Sequence, residues 1–173
     1  GKTTAISSLL KEFLTMEGGF AYTIEDPSEM PLDGIYHSVG GSLGLCKQTL
    51  PPKGNWGEGL KSALRSKPRY IMVGEIRALA AAELTFKGAL SGHGVWSTLH
   101  ANSAPAIITR FRDMGVQPYM LADPELMKGL ISQRLFRKLC PHCRVSVKEK
   151  LNMPQVQRLK VALGDFGIEN TYM

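Results

Sequence analysis

Over residues 3–16, apolar side chains fall at Ile6, Leu9, Leu10 and Phe13, the i, i+3, i+4, i+7 spacing of a helix with one apolar face. Gly18-Gly19 ends that pattern. The next run, Phe20-Ala21-Tyr22-Thr23-Ile24, is apolar and β-branched, and predicts a buried strand stopping at Glu25-Asp26-Pro27. Residues 28–55 are punctuated by proline and glycine, so only short strands and loops are expected there. Leu60, Ala63 and Leu64 then share one helical face, and Tyr70-Ile71-Met72-Val73 predicts a second buried strand. The alanine-rich stretch 78–90 favours helix. Gly92 and Gly94 bracket the turn into a third strand, Val95-Trp96-Ser97-Thr98-Leu99. Ile107, Phe111 and Met114 return to helical spacing, closed by Gly115. Residues 123–139 read as helical or mixed, with 133–139 undecided by pattern.

Strands alternating with helices of this length mean an α/β fold with a mainly parallel sheet. In such a sheet ligands sit at the carboxyl ends of the strands. Glu25, Glu75 and His100 each stand just past a predicted strand, so they are expected to cluster there.

With 173 residues, 43% apolar and 21% charged, the chain has the composition of a folded domain rather than of a disordered one. No stretch approaches eighteen unbroken apolar residues, so no transmembrane segment is expected. It opens on Gly1 without a signal-peptide pattern and reads as a piece cut from a longer chain. The net charge of +6 suits an anionic partner (nucleotide, nucleic acid or anionic lipid), or simply a solvated basic surface. Three cysteines form no even disulfide framework, which favours a reducing compartment.

Gly1-Lys2-Thr3 matches the last three positions of the phosphate-binding loop G-x-x-x-x-G-K-[ST], without its earlier glycines and preceding strand. In that motif the lysine reaches the β and γ phosphates and the hydroxyl binds magnesium, while the following helix aims its unpaired N–H groups at the phosphates. A carboxylate at the mouth of an apolar strand, as Glu75 is, can align and polarise attacking water. It can equally be an acidic helix start favoured by the dipole. Arg77 can stabilise transition-state charge or form a surface ion pair, and Glu25-Asp26-Pro27 can be an ordinary turn. His93 and His100 taken singly are surface or satisfied histidines as readily as catalytic ones.

Four segments in order carry a resemblance: Gly1-Lys2-Thr3-Thr4, then Ile24-Glu25-Asp26-Pro27, then Ile71-Met72-Val73-Gly74-Glu75-Ile76-Arg77, then Gly92-His93 through Ser97-Thr98-Leu99-His100-Ala101-Asn102. They resemble the Walker A, Asp, Walker B and His boxes of the type II secretion and type IV pilus motor ATPases. Gln133-Arg134-Leu135 with Arg137-Lys138-Leu139-Cys140-Pro141-His142-Cys143 resembles the segment that follows these boxes in the extension ATPases. The resemblance implies a RecA-like P-loop ATPase domain over residues 1–139, incomplete at its start, with a C-terminal segment over 140–173. It implies a homo-hexameric cytoplasmic motor, peripheral to the inner membrane. Such a motor spends ATP on assembling a pilus or pseudopilus, or on protein export, beside inner-membrane platform and cytoplasmic components, with no direct nucleic-acid binding.

On the same footing, Gly1, Lys2, Thr3 and Thr4 would bind ATP, with Thr3 on magnesium. Glu75 would be the catalytic glutamate, with Glu25 supporting the water and metal shell. His100 would sense phosphate, His93 being a weaker candidate, and Arg77 and Arg65 match family arginines near the strand. Ala78 stands where the family usually has Asp, Lys67-Pro68-Arg69 where members often read Asp-Pro-Asp, and Lys61 where an Arg is frequent; lysine lacks the planar fork of arginine.

Cys140 and Cys143 resemble the first half of a tetracysteine zinc site, and thiolates suit zinc. No second C-x-x-C follows before Met173. A conjugation or type IV secretion ATPase would share every box quoted. A non-enzymatic basic nucleic-acid module with a zinc knuckle would use the charge and the cysteines but leave Glu75 and His100 unexplained. On its own this stretch of chain is expected to bind ATP poorly and turn it over barely, if at all, for want of most of the loop's N–H cradle.

Overall fold

In the computed structural model, which describes residues 1–135, 139–146, 149 and 151–163, the chain divides into two compact units, Gly1–Arg134 and Leu135–Met173. Arg137 and Lys138 lie outside the described residues. The first unit opens with α1 (Lys2–Met16), β1 (Gly19–Ile24), β2 (Gly34–His37) and β3 (Leu43–Thr49). There follow α2 (Trp56–Arg65), β4 (Tyr70–Val73), α3 (Leu79–Leu90), β5 (Gly94–Ser97), α4 (Ala104–Asp113) and α5 (Pro118–Ala122). In the second unit a turn at 141–143 precedes α6 (Met153–Leu163).

The strands form one five-stranded sheet in the order β2-β3-β1-β4-β5. β3, β1, β4 and β5 run parallel, and only the edge strand β2 is antiparallel. This is the mainly parallel α/β fold that the alternation of patterns predicts. All four residues of β4 are buried, as expected of a strand covered on both faces. On one side Tyr22, Ile24, Ile71 and Val73 pack with Leu60 and Ala63 of α2 and Ala82 and Phe86 of α3. On the other, Ala21, Cys46 and Met72 pack with Leu10 and Leu14 of α1. Each such Leu or Ile contributes about 1.5–3 kcal/mol by leaving water.

Three details depart from the sequence pattern. The seven-residue β3 lies beside the central strand, a larger element than the short strands expected of residues 28–55. Its Gly44 explains why the pattern hides it: a Cβ there would lie 2.8 Å from the Leu14 carbonyl oxygen, so α1 crosses where only glycine fits. The buried face of α1 is Ser7, Leu10 and Leu14, whereas Leu9 stays 43% exposed. Finally, described residues 123–135 hold a turn at 124–126 and no helix. Pro124 removes a helical donor, and the Asp123 carboxylate accepts from the Glu125 N–H at 2.8 Å, an alternative to the helical bond.

Candidate functional site

The register places the ends of four strands side by side: Ile24 pairs with Val73 and with Thr49, and Val73 with Ser97. Whatever follows each strand therefore emerges at one edge. The Gly74 N–H donates to the Ile24 carbonyl at 2.8 Å, and the Ile76 N–H to the Thr98 carbonyl at 3.0 Å. Two hydroxyls complete the clamp, Ser97 donating to the Val73 carbonyl at 2.8 Å and Thr98 to that of Gly74 at 2.5 Å. Residues 74–76 are thus tied on both flanks, and Glu75 projects from a fixed backbone with only 18% of its side chain exposed.

Glu75 meets two partners. Arg77 approaches its Oε2 with Nε and Nη2, both at 2.7 Å. His100 Nε2 lies 3.2 Å from its Oε1. The other imidazole nitrogen, Nδ1, is 3.4 Å from Lys2 Nζ. A lysine ammonium carries donors and no acceptor, so Nδ1 accepts and Nε2–H donates to Glu75. Lys2, His100, Glu75 and Arg77, drawn from sequence positions as far as 98 residues apart, form one continuous polar chain.

Lys2 sits at the first position of α1, whose N-terminus bears no side-chain cap and no acidic residue in its first turn. Uncapped N–H groups and the helix dipole there favour an anion. Thr3 follows on the same turn, half-buried, while the Thr4 hydroxyl donates toward Glu29 at 3.4 Å. Lys2 and His100 also line a cleft of 540 Å³ with Asn102, Ser103, Arg110 and Arg134. Arg134 Nη2 donates to the Asn102 carbonyl at 2.5 Å and so holds the loop after His100.

Glu25, at the end of β1, is only 1% exposed. Its Oε1 accepts from Gln48 Nε2 at 2.8 Å, and its Oε2 has no hydrogen-bond partner. A buried carboxylate oxygen without a partner is costly unless something else meets it. A cationic lysine at an uncapped helix start suits a nucleotide phosphate, and a threonine hydroxyl and a carboxylate oxygen are the kind of hard ligands that magnesium takes.

Sequence reasoning missed Ser97, Thr98, Gln48 and Arg134 as supports; the hydroxyls lie inside the His box, and Arg134 inside the Gln-Arg-Leu match. Of the weaker candidates, His93 precedes β5, at the far end from His100, with Nδ1 3.0 Å from the Gly88 carbonyl oxygen. Arg65 is exposed in the last turn of α2. Burial, with the charges of Asp33 and Glu25, pushes the Cys46 thiol up to about 12.

In the second unit Cys140 and Cys143 are exposed free thiols. Hydrogen bonds from the His142 and Cys143 backbone, then from the Cys143 side chain, draw the Cys140 thiol below its usual range. Among the described residues no group of three or more His, Cys, Asp or Glu gathers for a metal, and two thiols are half of a tetrahedral zinc set.

The family model described as "Type II/IV secretion system protein" matches residues 1–165. The type IV pilus assembly ATPase TfpB of Acinetobacter baylyi is 42% identical over 84% of this chain and 23% of its own length. The type II secretion system ATPase E of Vibrio cholerae is 38% identical over 83% of this chain and 26% of its own length. The chain thus spans about a quarter of these curated relatives. Among solved structures, the pilus retraction motor PilT with bound ADP matches 68% of this chain and 32% of its own, at 32% identity and a TM-score of 0.58. The ATPase DotB of Yersinia pseudotuberculosis matches 74% of this chain and 34% of its own, at 26% identity and a TM-score of 0.60.

Proposed function

We propose that this chain, which belongs to the type II/IV secretion system protein family, is the catalytic part of an ATPase that powers pilus or pseudopilus assembly or protein export. Around its RecA-like fold the working unit is a cytoplasmic homo-hexamer beside inner-membrane components. The observation that carries it is the polar chain Lys2–His100–Glu75, which joins a phosphate-type helix start to a carboxylate at a strand end.

In this reading Gly1, Lys2, Thr3 and Thr4 hold the phosphates of ATP at the start of α1. The Thr3 hydroxyl and the Glu25 side of the site would hold magnesium, which would screen the phosphate charge. Glu75 orients a water and takes up its proton as the water's oxygen attacks the γ phosphorus; the bond from that phosphorus to the β–γ bridging oxygen breaks, and ADP leaves with the electron pair. The Arg77 guanidinium and the Nε2–H of His100 each hold one Glu75 oxygen and aim the carboxylate. His100, touching both Lys2 and Glu75, reports the loss of the γ phosphate to the loop that follows it. That loop, held by Arg134, is where hydrolysis becomes movement. The sequence likeness to pilus-assembly and type II secretion ATPases, 42% and 38% identical, supports a pilus or secretion machine. The test is phosphate release by the purified full-length protein. Release that depends on magnesium and stops on chelation is expected; no release above background from assembled protein refutes the activity.

A further inference from the structure

Glu25 is held by a residue outside the four boxes. Gln48, near the end of β3, uses every hydrogen-bonding group of its amide. Nε2 donates to Glu25 Oε1 and to the Met30 carbonyl, both at 2.8 Å, and Oε1 accepts from the Leu32 N–H at 3.1 Å. These partners settle which end of the amide is nitrogen, since two acceptors face one atom and a donor faces the other. The Gln48 backbone N–H is itself held by Asp33 Oδ1 at 2.9 Å. The amide therefore has one orientation available, and it engages one oxygen of a carboxylate that is 1% exposed. The second oxygen, Oε2, is left without a partner.

We propose that Gln48 is a positioning residue for Glu25. It occupies Oε1, fixes the plane of the carboxylate, and reserves Oε2 for the bound magnesium–nucleotide and its water. This deepens the ATPase reading and rests on it. A glutamine that served only to anchor residues 30–33 would have no need to contact Glu25. One that served Glu25 alone would not need Leu32 and Met30. The three bonds together make a rigid link between the carboxylate and the segment beneath it. Removing the amide frees the carboxylate to rotate, and misplacing a reacting arrangement by about 1 Å costs up to about 10²-fold in rate.

The experiment is a double-mutant cycle on the full-length protein, reading kcat, the KM for magnesium–ATP and the thermal midpoint. Gln48→Met is expected to lower kcat by roughly 10- to 100-fold, with KM raised less than about threefold because Lys2 and the start of α1 still hold the phosphates. In a Glu25→Gln background the same substitution is expected to change kcat by less than about twofold, because its effect runs through Glu25. Near-normal kcat in Gln48→Met, or an equal loss in both backgrounds, overturns the proposal. Should Gln48→Met not fold, Gln48→Asn, which keeps the amide but retracts it, is read by the same cycle. If the wild-type protein turns over and Glu75→Gln does not, the ATPase reading stands whatever the cycle gives. If the wild-type protein itself shows no magnesium-dependent turnover, both fall.

Discussion

Gly74 packs tightly against Glu25: a Cβ on Gly74 would lie 3.3 Å from the Glu25 Cα, closer than side chains usually come, and 3.4 Å from its Cγ. The Ile24 carbonyl oxygen would be 3.3 Å away as well. Two of these three neighbours are backbone atoms at and just past the end of the central strand β1, which yield less easily than a side chain. Gly74→Ala is therefore expected to destabilise the fold by about 1–3 kcal/mol, as overpacking does. Thermal unfolding checks it, and an unchanged midpoint would show that β1 and β4 can separate at this edge.

Thr98 is buried and ties β5 to the Gly74 carbonyl. Thr98→Val keeps the shape and removes the donor. A loss of about 1–3 kcal/mol is expected from the orphaned carbonyl, together with lower turnover as Glu75 loses its fixed backbone. Stability with turnover, measured on the same preparation, reads both; a loss of neither would remove the hydroxyl clamp from the account.

Lys2 and His100 touch each other, and different tasks are proposed for them. Lys2→Ala removes positive charge from the phosphates and is expected to weaken nucleotide binding. His100→Ala is expected to slow turnover with binding largely kept, since the imidazole contacts Glu75 rather than replacing the ammonium. Titration with a non-hydrolysable nucleotide beside steady-state turnover separates them. Equal binding losses in both variants would give His100 a phosphate-holding role instead.

The three thiols should differ in reactivity. Cys46 is buried and pushed up to about 12, so it stays protonated through pH 8. Cys140 and Cys143 are exposed, and Cys140 is drawn toward its thiolate, the reactive form. Alkylation of the folded protein at pH 8 should label Cys140 first and Cys46 last, as peptide mass analysis would read. Early modification of Cys46 would mean that β3 opens readily.

What was legible in the sequence follows from what each element asks of its residues. β1 and β4 are covered on both faces, so their apolar runs show without knowledge of neighbours. The placement of Glu25, Glu75 and His100 at one edge could be read because parallel strands share a direction. β3 was not legible as a seven-residue strand, since its exposed and buried positions alternate and Gly44 answers to a helix 30 residues earlier in the chain. Gln48 was equally silent: a glutamine between Lys47 and Thr49 in a loop-rich stretch looks like surface until its three partners are placed around it. The exposure of Leu9 shows the limit of periodicity, which finds a face of α1 but not which stripe of it the sheet selects.

Glu75 is the centre of the account, clamped at the end of β4 and held by Arg77 and His100. Glu75→Gln keeps the size of the side chain and some hydrogen bonding but cannot take a proton or orient water with full charge. The deciding measurement is ATP turnover and nucleotide affinity of this variant in the full-length protein. Turnover is expected to fall by about 10²–10⁴-fold with affinity largely intact; near-normal hydrolysis at unchanged affinity would contradict the assignment and pass the role to Glu25.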